Sequence, residues 1–196
     1  MSAPAPTFHR VLISTREAAK ELAVVGVPRR QVRRLIACGA AGPVTRTAGA
    51  LLVDDRRVAD LASRPRLSEA DLTEACPWGV FIARREVRGS QDREVLGQDW
   101  PFSIWTMARL RAWIDRYGFV PLVATVSGFV LDGGQITGVT PQVGAELFDL
   151  ALDPPGPWFD RLQGTRIDSP PGRPWMVLGW DARARVGCTG HLSQAT

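Results

Sequence analysis

Four arginines and a glutamine crowd six consecutive positions: Arg29, Arg30, Gln31, Arg33 and Arg34. A guanidinium is a planar fork of donors that grips phosphate or pairs with the O6 and N7 edge of guanine. A carboxamide pairs with the N6 and N7 edge of adenine. These residue types point to recognition of a polyanion rather than to bond-making. Among them, Val32, Leu35 and Ile36 stand at i, i+3 and i+4, so the spacing predicts a helix over 28–38 with one apolar stripe and a basic remainder. Most charged helix faces are merely solvated, so the run by itself decides nothing. Arginine is also the habitual cation of the chain, Lys20 being its only lysine, and position therefore carries more weight than content.

Residues that make or break bonds are gathered nowhere. Asp132 opens Asp132-Gly133-Gly134, a turn-like run in which Asp is favoured for backbone reasons. Asp149 and Asp153 are four apart on a helix expected to end there, which fits a solvated pair. His9 and His191 fall in expected tails. No Ser or Cys lies in a nucleophile elbow, and Gly133-Gly134 lacks the pattern of a phosphate-binding loop. Cys38, Cys76 and Cys188 are widely spaced, which argues against zinc and fits reduced thiols. No catalytic residue, metal ligand or cofactor site is expected, and the chain reads as a non-enzyme.

The neighbouring elements must position the basic run. Residues 11–13 read as a short strand or as a lead-in that packs on the core. Ser14 and Glu17 have the spacing of a capping box. Ala18, Ala19 and Leu22 follow on one helix face, leaving Arg16, Lys20 and Glu21 outward, and the small Ala pair lets a second helix approach closely. Gly26 is placed to stop this helix and Pro28 to start the next. Gly39 and Gly42 end the basic helix. Residues 43–46 and 50–53 read as two short strands joined by Thr47-Ala48-Gly49, with Arg46 near the tip. Asp54 caps a third helix with Val58, Leu61 and Ala62 inward, which Arg64-Pro65 stops.

This order of elements resembles the winged helix-turn-helix of the MerR and phage-excisionase superfamily. The matching residues are Thr15-Arg16-Glu17-Ala18-Ala19, Gly26-Val27-Pro28 through Leu35-Ile36, Gly39 with Gly42-Pro43, and Val53-Asp54 leading into Val58 and Leu61. They cover about residues 11–64. The resemblance implies DNA binding, with Arg29, Arg30, Gln31, Arg33 and Arg34 in the major groove. It places Thr45, Arg46 and Thr47 of the wing on backbone or minor groove, with Arg16 completing the contact set. Two features depart from the family pattern. Ala23-Val24-Val25 lengthen the first helix or loosen the turn. Pro28 stands where Ser or Thr usually caps the recognition helix, which removes a phosphate-contacting hydroxyl. No heptad run follows residue 66, so the long dimerising coiled coil of MerR regulators is missing from the pattern.

Beyond a linker over 63–68, the sequence predicts a helix over 69–75 capped by Ser68, a strand over 79–87 and a polar loop over 88–99. An amphipathic helix over 103–117 is built on Ile104, Met107, Leu110 and Ile114. Residues 119–131 and 135–139 are expected to pair as an antiparallel hairpin about Asp132-Gly133-Gly134. A helix over 141–152 with Val143, Leu147 and Leu150 buried, and a strand over 175–180, follow. All seven tryptophans, Trp78, Trp100, Trp105, Trp113, Trp158, Trp175 and Trp180, lie in this part, as core fillers or as linings of a pocket or interface. Residues 1–9 and 181–196 are expected to be disordered. The fold class expected is α+β: a winged helix-turn-helix over 11–64, then a small α+β domain over 68–182 with an antiparallel β-hairpin.

Charge divides along the same line. Residues 1–66 carry twelve Lys and Arg against five Asp and Glu, a net of +7, whereas residues 67–196 carry twelve Arg against fifteen acidic groups, a net of −3. Only the first part is expected to meet a polyanion. No apolar run approaches the roughly 20 residues of a membrane span, and the N-terminus lacks the pattern of a signal peptide. A cytoplasmic protein without membrane contact is expected. The leading expectation is a sequence-specific transcriptional regulator on double-stranded DNA, acting as a homodimer or cooperative assembly. Residues 68–182 are left for self-association, a protein partner or a small-molecule effector. An excisionase-like architectural factor and a winged-helix adaptor without DNA binding are the alternatives.

Overall fold

The computed structural model describes residues 11–85, 93–144, 146–168 and 174–178 of a mixed α and β chain. It divides after Arg64 into two compact units. No helix among the described residues is long and apolar enough to cross a membrane.

The first unit begins with β1 (Leu12–Ser14), whose last residue caps α1 (Thr15–Val24). Both halves of the capping box form. The Glu17 N–H donates to Ser14 Oγ at 3.3 Å and the Ser14 N–H donates to the Glu17 carboxylate at 2.8 Å. These bonds, the backbone one first, hold the Glu17 carboxyl below its ordinary range. Ala18, Ala19 and Leu22 are buried, as are Val32, Leu35 and Ile36 of α2 (Arg29–Ala37).

The link between the two helices is a tight turn. Gly26 has φ +80°. Its N–H bonds Ala23 O while the Val27 N–H bonds Leu22 O, the paired bonds by which a left-handed glycine closes a helix C-terminus. The additional Ala23-Val24-Val25 is thus absorbed as a longer α1. Pro28 sits at the N-cap of α2 with no side-chain cap bond. Gly39 closes α2 in the same manner, with the Ala40 N–H on Leu35 O. β2 (Thr45–Arg46) and β3 (Leu51–Asp54) then form a hairpin, and β1 adds to the far side of β3. Asp54 accepts from the Arg56 N–H at 3.0 Å and starts α3 (Asp55–Ser63). Val58 and Leu61 are buried, and Ala62, expected inward, is half-buried.

Glu21 of α1 shares a hydrogen bond with Asp55 of α3. Desolvation, then the Asp55 charge and that bond, push the Glu21 carboxyl above its ordinary value. A carboxyl raised on folding contributes stability below its unfolded pKa and loses it as pH rises through the folded one. Glu21→Gln keeps a donor toward Asp55 without the charge. It is expected to raise the thermal midpoint by about 1–3 °C at neutral pH, a small effect because the site is partly solvated. The gain should vanish near pH 4, about where a free Glu titrates. Thermal melts at the two pH values check this.

The second unit runs β4 (Arg66–Leu67), α4 (Glu69–Ala75), β5 (Val80–Ala83), α5 (Arg93–Gly97), α6 (Ile104–Tyr117), β6 (Val120–Val126), β7 (Phe129–Pro141), β8 (Phe148–Asp153), a 3-10 helix (Pro157–Arg161), β9 (Arg166–Ile167) and β10 (Trp175–Leu178). The strands form one sheet in the order β10-β5-β6-β7-β9-β4, with β8 also on β7. The β5–β6 and β4–β9 pairs are parallel and the others antiparallel. One apolar cluster, with Phe81, Trp100, Leu110, Leu122 and Ile136 fully buried, joins α6 to the sheet. Another gathers Leu72, Ile82, Val123, Phe159 and Leu162.

Several expectations are corrected here. The linker over 63–68 is not wholly a linker, because Arg66 and Leu67 pair with β9 and the Arg66 guanidinium binds Asp168. Part of the expected loop over 88–99 is α5, and residues 86–92 lie outside the described residues. The hairpin turns at Ser127-Gly128, with φ of +56° and +83°, and not at Asp132-Gly133-Gly134. That triplet lies inside β7, opposite Ala124, Val123 and Leu122 of β6. Successive positive φ values match the twist of a hairpin. Gly133 serves close packing instead: a Cβ there would lie 2.6 Å from the Phe159 ring. The helix over 141–152 is replaced at its C-terminal end by β8, in which Phe148 and Leu150 are buried in alternation, while Val143 is exposed. α6 has the expected extent, but Leu110 is its only fully buried position and Ile104 is 63% exposed.

Trp100 is buried with its N–H on Leu96 O at 2.8 Å, Trp175 stacks on Phe81 and Trp78 on Tyr117. Trp105, by contrast, is 78% exposed. Cys38 and Cys76 are buried thiols, and burial pushes the Cys76 thiol up to about 12, which keeps it protonated and inert. Trp180, Cys188, His9, His191 and both expected tails lie outside the described residues.

Candidate nucleic-acid interface

α2 exposes Arg29, Arg30, Arg33 and Arg34, and half-buries Gln31. Its buried residues fix the rotation of the helix. At about 100° per residue, Arg30, Arg34 and Ala37 lie opposite the apolar stripe and Arg33 stands beside them. Arg29 and Gln31 fall on the flanks. The spacing of Val32, Leu35 and Ile36 already contains this phase, so the central position of Arg30 was readable from sequence.

Thr45, Arg46 and Thr47 are exposed on the hairpin that follows. Thr47 is engaged in the turn itself: its hydroxyl donates to Ala50 O at 3.1 Å and accepts from the Ala50 N–H at 3.2 Å. Thr45 and Arg46 thus carry the outward chemistry of β2, and Thr47 holds its shape. The Thr15 hydroxyl donates to Leu51 O at 3.2 Å, which ties the start of α1 to the same hairpin. Arg16 is exposed on α1.

The charge arrangement is one-sided. Between Glu21 and Asp54 the chain has no acidic residue and five arginines, four on α2 and one on β2. The nearest acids in sequence have roles of their own: Glu17 and Asp54 cap α1 and α3, and Glu21 hydrogen-bonds Asp55. A solvated face laced by salt bridges alternates its signs. The charged residues of α2 and of β2 are all arginines, which suits each to holding a polyanion by charge-assisted bonds.

The second unit offers different chemistry. A cavity of about 450 Å³ lies between α5 and β8, lined by Arg93, Glu94, Gly97, Gln98, Asp149, Leu150 and Leu152. Its wall includes no tryptophan. Arg93 reaches Asp132 at 3.6 Å. Asp132, expected in a turn, is buried within β7 and accepts from the Gly133 N–H. Asp149 and Asp153 lie on a strand and not on a helix. Asp149 accepts from the Asp99 N–H and from Gln142 Nε2, so it fastens two loops. Sequence reasoning missed the Arg93–Asp132 pair because it depends on β7 running straight through Gly133. Among the described residues no group of three His, Cys, Asp or Glu is placed to hold a metal ion. The chain matches no family model, and comparison with curated proteins and with solved structures likewise finds no match.

Proposed function

We propose that the chain is a sequence-specific DNA-binding regulator whose first unit is a winged helix-turn-helix of the MerR and excisionase type. α1 and α2, joined by the Gly26 turn, are its two helices, and the β2–β3 hairpin is the wing. α2 enters the major groove while Thr45 and Arg46 meet the backbone beside it. The observation that carries this reading is the segregation of charge: five arginines with no acid among them, four exposed on α2 and one exposed on β2. A single unit of this size has little contact area, so useful specificity calls for a dimer or cooperative assembly. The second unit supplies the contact between copies, or takes a partner or effector.

The test is selection of genomic fragments by the purified full chain at about 50 mM salt, where phosphate contacts are strong. The expected result is a shared short motif, repeated at a spacing of about one helical turn if two copies bind together. A bound pool indistinguishable from the input contradicts the proposal.

A further inference from the structure

Given DNA as the ligand, the rotation of α2 narrows which base edges it meets. We propose that α2 reads guanine: Arg30 and Arg34, with Arg33 beside them, take the O6 and N7 acceptors of guanines within two or three successive base pairs. This inference rests on the DNA-binding reading and goes beyond it by naming the bases.

The residues opposite the buried stripe are Arg30, Arg34 and Ala37. None is an Asn, Gln, Asp or Glu, the side chains that pair with adenine or cytosine in the major groove. The one adenine-type reader on the helix, Gln31, is half-buried on a flank. Arg30 and Arg34 are separated by about 6 Å along the axis, at 1.5 Å per residue. That is close to two base steps of about 3.4 Å each, so the two forks fall on adjacent or alternate base pairs. Ala37, exposed one turn further on, has no bulk to hold the helix off the groove floor. Pro28 offers the backbone no hydroxyl at the start of α2, and flanking Arg29 is the cation nearest that end. The deep, narrow major groove of an A-form duplex does not admit such a face, which favours B-form DNA over RNA.

The experiment uses the full chain and a duplex recovered by selection. Each guanine is replaced in turn by 7-deazaguanine, which removes the N7 acceptor and leaves base pairing intact. At two positions the replacement is expected to lower affinity about tenfold, the scale of one bidentate contact. Arg30→Lys keeps the charge and loses the fork. It should bind the unmodified duplex more weakly and be indifferent to the replacement at one of those two guanines. If the selected motif lacks guanine, or if every replacement leaves affinity unchanged while the duplex is still bound, the guanine proposal falls and DNA binding stands. If no duplex is bound at about 50 mM salt, both fall.

Discussion

Replacing Arg33 and Arg34 together by Ala is expected to weaken binding of the full chain to its selected duplex by about a hundredfold or more. Each arginine at a base edge or phosphate contributes roughly 1–3 kcal/mol, and two such losses on one helix face reach that range. The fold should survive. Both side chains are exposed and the stripe that anchors α2, Val32, Leu35 and Ile36, is untouched. Ala is also the best helix former. Arg34 lies in the last turn, so its loss forgoes a few tenths of a kcal/mol of favourable interaction with the helix dipole. The thermal midpoint should therefore move by no more than about 2 °C. Arg161→Ala is the control: that arginine pairs with Glu74 at 2.9 Å on the surface of the second unit, and its loss should leave DNA affinity within about twofold, since an exposed pair contributes little. Mobility-shift titrations and circular dichroism on the three proteins check both halves. Unchanged affinity in the double variant would remove α2 from the interface.

A large stability effect is expected at Gly133. Gly133→Ala places a methyl 2.6 Å from Phe159 Cδ2 and Cε2 and 3.2 Å from Leu122 O, in the middle of the sheet. Neither the paired β6 backbone nor a buried ring can yield without disturbing its neighbours, and overpacking of this kind costs about 2–3 kcal/mol. A substitution at the neighbouring Gly134 should cost less, since its closest neighbour, Asp153 O, would be 3.2 Å away. Were Gly133 a solvent-exposed turn residue, the same methyl would meet nothing. The clash can be isolated by a double-mutant cycle. In a Phe159→Ala background, which opens the space, Gly133→Ala should lose most of its penalty. Urea unfolding of the four proteins measures the coupling, and an additive result would contradict the packing assigned to β7.

Legibility in the sequence followed the range of the interactions. In the first unit the deciding features are local. Ser14 and Glu17 cap each other, Gly26 and Gly39 stop helices, Asp54 starts one, and the apolar stripe of α2 gives its own phase. Each sits within a few residues of what it controls, and each is present in the structure. In the second unit the deciding partners are far away in sequence. Gly133 mimics a turn because nothing nearby shows Phe159 arriving from 26 positions later. Val143, Leu147 and Leu150 fit a helical period, while Phe148, Leu150 and Leu152 fit a strand equally well, and the edge of β7 decides between them. α5 is hidden in a polar stretch. It is held by Arg85, whose guanidinium collects the carbonyls of Val95, Gln98 and Asp99 and lies 4.0 Å over the Trp100 ring. The basic residues of the candidate interface were plain from the start. That Thr47 closes its own turn, and that Gln31 stands to one side, emerged only with the backbone in place.

DNA binding by the arginines of α2 and its hairpin is the property on which the proposed function stands. Its most direct measurement is the affinity of the full chain for the selected duplex across about 50 to 200 mM salt. Five arginines on phosphates and base edges predict that log affinity falls linearly with log salt, with a slope of about −3 or steeper. An affinity indifferent to salt, or no binding at the lowest salt, would contradict it.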